Sequence, residues 1–220
     1  MEKNILVMGA FKTGTHTVYN TIFNIMNEKT TVKRLHINEH VLNNDNYDIY
    51  IFTMRHNKNI MPSTYFQDII EPIRYEPFGC DLKLNRKNFL SEYSNCDVNK
   101  RKEIILNTPI TELYNFYKNV FMSYKVQPTM DDCKKIFEKI FNIKIEYEKK
   151  VQFFDEIYKN RKIKIIVLDI DYFEEYIKQI FEFIDIEYKN ELIVHNFNIG
   201  KQKWYGDKYK EFLEYLEKNN

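Results

Sequence analysis

The sequence predicts an α/β fold: a central, mostly parallel sheet flanked by helices in three layers. Two observations lead there. Short continuous apolar runs, such as Ile5–Met8 and Ile163–Leu168, read as strands buried on both faces. Between the strand candidates lie stretches with apolar residues at helical spacing, so strands alternate with helices. The chain has 220 residues, 44% hydrophobic and 30% charged, which suits a single domain over 1–220 with a substantial core.

The elements follow in order. Ile5–Met8 is the first strand and ends at Gly9. Val18, Ile22, Phe23, Ile25 and Met26 make one face of a helix from about Thr15 to Asn27. Thr31–His36 is a second strand candidate, and Asp48–Met54, rich in β-branched and aromatic residues, a third. A helix over about Ile60–Ile70 has Pro62 in its first turn. The region 71–160 is expected to be irregular and helical and to shape an acceptor pocket. Within it Thr108 is read as a helix cap with Pro109 behind it, Thr129-x-x-Asp132 as a weak capping box for a helix through Phe141, and Tyr147–Asn160 as a further helix. Ile163–Leu168 is the last strand. Asp171-x-x-Glu174 is expected to cap a helix through Phe183, and Asp207–Glu217 closes the chain as a helix.

Composition excludes several classes. The net charge of +1 gives no basic excess for a nucleic-acid partner. Cys80, Cys96 and Cys133 are odd in number and widely spaced, which argues against a disulfide framework or zinc knuckle and for a reducing compartment. The N-terminal apolar run is too short for a signal peptide, and no stretch approaches the ~18 apolar residues of a membrane span. The expectation is therefore a soluble cytoplasmic protein. Five glycines and one alanine, Ala10, make each small residue informative. Four of the glycines fall in two short segments, Gly9–Gly14 and Gly200–Gly206.

The first segment reads strand, then Gly9-Ala10-Phe11-Lys12-Thr13-Gly14-Thr15-His16-Thr17, then helix. A helix N-terminus offers unpaired N–H groups and partial positive charge, and glycine admits a phosphate close to the backbone. Lys12 adds a full charge, and Thr13, Thr15 and Thr17 add hydroxyls. Gly9 and Gly14 have the separation of a GxxxxGK[ST] phosphate loop, but Thr15 stands where that loop has its lysine. An ordinary strand–turn–helix corner has the same outline; the lysine and threonines crowded into it favour an anion.

This segment resembles the Lys-Ser-Gly-Thr-Thr loop of sulfotransferases, which use 3′-phosphoadenosine-5′-phosphosulfate (PAPS) and share the P-loop fold. The resemblance implies a P-loop NTPase-like domain, with the phosphosulfate held by Lys12, Thr13, Gly14, Thr15, His16 and Thr17, and with Lys12 on the oxygen that bridges to sulfur. The chain departs from the family at Phe11, often Pro or Arg there, and at His16, where the family has Thr or Ser. The family also places an arginine at the end of the third strand and a serine eight residues on; Arg55 and Ser63 match, and imply a grip on the 3′-phosphate. The proline often found two residues after that arginine is replaced by Asn57. Taken alone, Arg55 reads more simply as a surface residue paired with a carboxylate and Ser63 as an ordinary helix residue; the loop before them favours the phosphate reading. Gly200–Asp207, with the single tryptophan Trp204, looks like a variant of the late loop that closes over the nucleotide. It is also similar to a sulfotransferase-like family linked to capsular polysaccharide synthesis. Lys201 or Lys203 would then meet the 3′-phosphate, and Trp204 would stack on adenine or pack beneath the loop.

Sulfuryl transfer to an alcohol needs a base. Histidines just after the second strand reach the acceptor in carbohydrate 2-O-sulfotransferases, which points to His36 or His40, with Glu39 as the alternative. A polar strand end is the plainer reading of these three. The implied activity is sulfuryl transfer from PAPS to a hydroxyl, expected on a carbohydrate, with no metal required. Two rivals stand beside it. A P-loop nucleotide kinase or hydrolase would use Ile165–Asp169 as a strand whose Asp169 positions magnesium. A non-catalytic nucleotide-binding domain would keep the fold without needing Lys12 or a base.

Overall fold

The computed structural model describes residues 3–10, 13–25, 30–36, 47–55, 62–66, 98–119, 130–186 and 204–219. They fall into two compact units, one drawn from residues 1–57 and 126–197, the other from 58–125 and 198–220.

The first unit is built on a five-stranded sheet. Its strands are β1 (Lys3–Gly9), β2 (Thr30–His36), β3 (Ile49–Met54), β4 (Val151–Tyr158) and β5 (Arg161–Asp169), in the order β2-β1-β3-β5-β4. β1, β2, β3 and β5 run parallel, and β4 pairs antiparallel with β5. The fold is thus α/β with a mostly parallel sheet flanked by helices. One face carries α1 (Thr15–Ile25) and α5 (Phe173–Phe183), packing Val18, Ile22, Ile177 and Ile180 against Ile5, Val7, Ile51 and Ile166. The other face carries α4 (Met130–Phe141), whose Phe137 stacks on Phe52 at 4.8 Å while Phe141 lies 4.7 Å from Tyr50. With both faces covered, the inner strands need apolar residues at every position, which is why β1, β3 and β5 read as continuous runs.

The region expected as a helix over Tyr147–Asn160 is instead the edge strand β4. Tyr158 pairs with Arg161 across a two-residue turn, and Lys159 and Asn160 both have positive φ, 50° and 61°. That is the arrangement of a type I′ hairpin turn, whose twist matches that of the strands. β5 is followed by a 3-10 turn, Ile170–Tyr172, before α5. Asp171 does not cap α5. Asp169 caps the 3-10 turn instead, accepting from the Asp171 amide, and Tyr172 leads into α5 with no side-chain cap bond.

The second unit contains a helical stretch at 62–66 and the helices α2 (Val98–Asn107), α3 (Ile110–Asn119) and α6 (Gly206–Asn219). Its core is aromatic: Phe66, Tyr117 and Phe212 surround Tyr65, whose hydroxyl donates to the Leu113 carbonyl at 3.0 Å. Thr108 does not cap α3; its hydroxyl donates back to the Ile104 carbonyl of α2 at 2.8 Å. The stretch 71–97 and the capping position Thr129 lie outside the described residues. Residues 130–160 belong to the sheet unit, so the expected acceptor region 71–160 is divided between the two units.

Candidate functional site

The strand order gives the sheet a point where connections diverge. From β1 the chain steps to β2 on one side, and from β2 it returns across β1 to β3 on the other. In open α/β sheets, ligands enter the crevice beyond the carboxyl ends of strands at such a point. The carboxyl ends here are Gly9 of β1, which pairs with Thr53, and Met54 of β3, which pairs with Asp169 of β5. The loop Gly9–Gly14, Arg55 and the Ile170–Tyr172 turn therefore gather at one edge of one unit.

The loop is held from within. Thr13 is fully buried, and its hydroxyl donates to the Ala10 carbonyl at 2.7 Å and lies 3.0 Å from the hydroxyl of Thr53. Thr53 in turn donates to the Met8 carbonyl at 3.2 Å. The Thr13 side chain thus fixes the loop rather than facing a ligand. Gly14 has φ +74°, and a Cβ placed on it would stand 2.1 Å from Cγ1 of Ile170. Both its dihedral and the packing of the 3-10 turn demand glycine.

Thr15 and Thr17 are buried in the first turn of α1. His16, between them, has its Nδ1 shut off from solvent. Burial, and then the charge of Arg34 on β2, hold its pKa below the usual value, so the imidazole favours its neutral form.

Arg55 follows β3 directly. Its Nε–H donates to Oδ1 of Asp171 at 3.1 Å, and its Nη2 lies 3.1 Å from the same oxygen. The carboxylate pairing that the sequence left open for Arg55 is present. A guanidinium has five N–H donors, and two nitrogens on one oxygen leave others for an anion.

His36 is the last residue of β2, and its backbone pairs with Gly9. Lys12, Glu39, His40, Lys201 and Lys203 lie outside the described residues. Ser63 and Trp204 belong to the second unit. Ser63 is half-buried in the helical stretch. Trp204 stands edge-on to Tyr205 at 5.3 Å, with Lys102 Nζ 5.8 Å from its ring centroid. Its Nε1 is buried without a hydrogen-bond acceptor among the described residues.

Two residues of the site bear no local mark of it in the sequence: Thr53 lies inside a strand, and Asp171 has the spacing of a helix cap. The signal for Asp171 is its place two residues beyond the end of β5, the strand that pairs with the one Arg55 directly follows. Among the described residues no group of His, Cys, Asp and Glu is disposed to hold a metal ion, and no helix is long and apolar enough to cross a membrane. The chain matches no protein-family model, no curated protein and no solved structure.

Proposed function

We propose that this chain is a PAPS-dependent sulfotransferase of P-loop-like fold acting on a hydroxyl, with a carbohydrate as the acceptor class. The observation that supports it most is the Gly9–Gly14 loop between β1 and α1, with Arg55 at the end of the neighbouring strand, at the crevice of a parallel sheet. In this reading the 5′-phosphosulfate sits on the loop and the N-terminus of α1, where backbone N–H groups and the helix dipole favour an anion. Lys12 neutralises the oxygen bridging phosphorus and sulfur. Arg55 takes the 3′-phosphate, and Ser63, Lys201 or Lys203, and Trp204 are the further nucleotide contacts that the resemblance implies.

The acceptor oxygen attacks sulfur, the bond from sulfur to the 5′-phosphate oxygen breaks, and the electron pair leaves on 3′-phosphoadenosine-5′-phosphate. The hydroxyl proton passes to His36, His40 or Glu39. Leaving-group stabilisation by Lys12 and proton removal act in the same step, so loss of either slows chemistry more than binding.

The test is ligand-dependent thermal unfolding. 3′-Phosphoadenosine-5′-phosphate is expected to raise the melting temperature of the wild type, since a ligand of the native state stabilises it by mass action. ATP with magnesium is expected to shift it less. Lys12→Ala is expected to abolish sulfuryl transfer while the unliganded melting temperature stays unchanged. A shift with ATP and magnesium alone would favour the kinase or hydrolase reading, which the position of Asp169 at the end of β5 supports. An unchanged activity in Lys12→Ala would remove the sulfotransferase mechanism.

A further inference from the structure

We infer that the 3-10 turn Ile170–Tyr172 sets the geometry of the anion site, with Asp171 as the positioning residue that aims Arg55 at it. This rests on reading the β1–α1 loop as an anion site. Three contacts from consecutive residues carry it. Ile170 packs against Gly14, so closely that no side chain fits there. Asp171 receives Nε and Nη2 of Arg55 on one carboxylate oxygen. Tyr172 lies under Lys150, whose ammonium is 4.2 Å from the ring centroid and 3.6 Å from Glu175.

The turn is itself pinned at its start. The Asp169 carboxylate accepts from the Asp171 amide at 3.1 Å, and the Phe173 amide donates to the Ile170 carbonyl. One short element, anchored to β5, thus touches both components of the candidate site. The loop carries the backbone donors and Arg55 carries the charge. A long arginine side chain loses much rotamer freedom on binding an anion; a carboxylate that already holds its Nε edge reduces that loss and leaves the other N–H groups presented.

The sign of the effect separates this role from a bystander's. Asp171 is a negative charge beside a site for anions, so by charge alone its removal tightens anion binding. If it positions Arg55, its removal weakens binding. The probe is inorganic pyrophosphate, titrated calorimetrically into the full chain, with unfolding followed in the absence of ligand. Asp171→Ala is expected to weaken pyrophosphate binding about tenfold, the scale of one oriented charge-assisted contact. Asp171→Asn keeps the acceptor oxygen and loses the charge, and is expected to bind at least as tightly as the wild type. Ile170→Ala is expected to weaken binding with Arg55 intact, through the loop alone. Equal or tighter binding in Asp171→Ala, or no pyrophosphate binding by the wild type, overturns the inference. Pyrophosphate binding without response to 3′-phosphoadenosine-5′-phosphate removes the proposed function and leaves this inference standing. Nucleotide binding that Asp171→Ala leaves unchanged does the reverse.

Discussion

At Gly9 the loop tolerates no side chain: a Cβ there would come within 2.3 Å of the Thr13 hydroxyl, 2.4 Å of the Thr53 hydroxyl and 2.7 Å of the Thr53 carbonyl oxygen. The carbonyl belongs to an inner strand and has no room to move. Gly9→Ala is therefore expected to cost about 1–3 kcal/mol by overpacking, measured by denaturant unfolding. A cost near zero would mean that the loop adapts and is not braced by the threonines. His16 supplies a pH signature from the same turn. Its folded-state pKa is lowered by burial and by Arg34, so the native state binds the proton more weakly than the unfolded chain does. Stability is then undiminished above the unfolded value of about 6.5 and declines as pH falls below it. The fall in melting temperature between pH 7.5 and pH 5.5 is expected to be smaller in His16→Gln than in the wild type. Equal falls in the two proteins would remove His16 as the source.

At the scale of elements, the turns and helix ends show why part of the fold was hidden in the sequence. Among the described residues four non-glycine residues adopt positive φ: Asn142, Lys159, Asn160 and Asp185. Asn142 ends α4, where the Ile143 amide donates to the Glu138 carbonyl, and Asp185 ends α5, where Ile186 donates to Phe181 in the same way. These are Schellman closures, a place where glycine is usual. With five glycines in the chain, other residues take left-handed positions, and the usual marks of a turn are missing. The β4–β5 hairpin was lost for that reason: Lys159-Asn160 lacks the Asn-Gly signature, and Tyr147–Tyr158 with its scattered apolar residues passes for a helix. The strands β1, β3 and β5 were legible because burial on both faces writes itself as an unbroken apolar run. Lys159→Asn with Asn160→Gly should suit the type I′ turn better and stabilise the sheet unit by about 1 kcal/mol, since a left-handed lysine carries a steric cost of that size. A rise in the denaturant midpoint at unchanged slope would show it, and a fall would mean that the Lys159 side chain, 5.1 Å from the Tyr158 ring, matters more than its backbone.

Across the whole molecule the candidate site is legible only where it coincides with the sheet. Gly9 and Arg55 sit at strand ends whose apolar runs announce them, and Gly14 directly precedes the helix that follows. Asp171 and Thr53 act through contacts between elements far apart in sequence, which no local pattern encodes. The same distinction between inner and outer strands makes a prediction about dynamics. Ile5–Met8, Tyr50–Phe52 and Ile165–Leu168 are almost wholly buried. In β2, by contrast, Thr31, Lys33 and Arg34 are exposed, and in β4 Ile157 is 73% exposed. Among the described residues β2 and β4 end the sheet, so alternate amides of each point away from a neighbouring strand. Amides that open only with the core exchange at the global unfolding free energy, whereas edge amides exchange through local opening. Native-state hydrogen exchange is therefore expected to be slowest in the three inner runs, and faster in alternate residues of β2 and β4. Uniform protection along β4, with no alternation, would require a partner on its outer edge and would overturn its place as the end of the sheet.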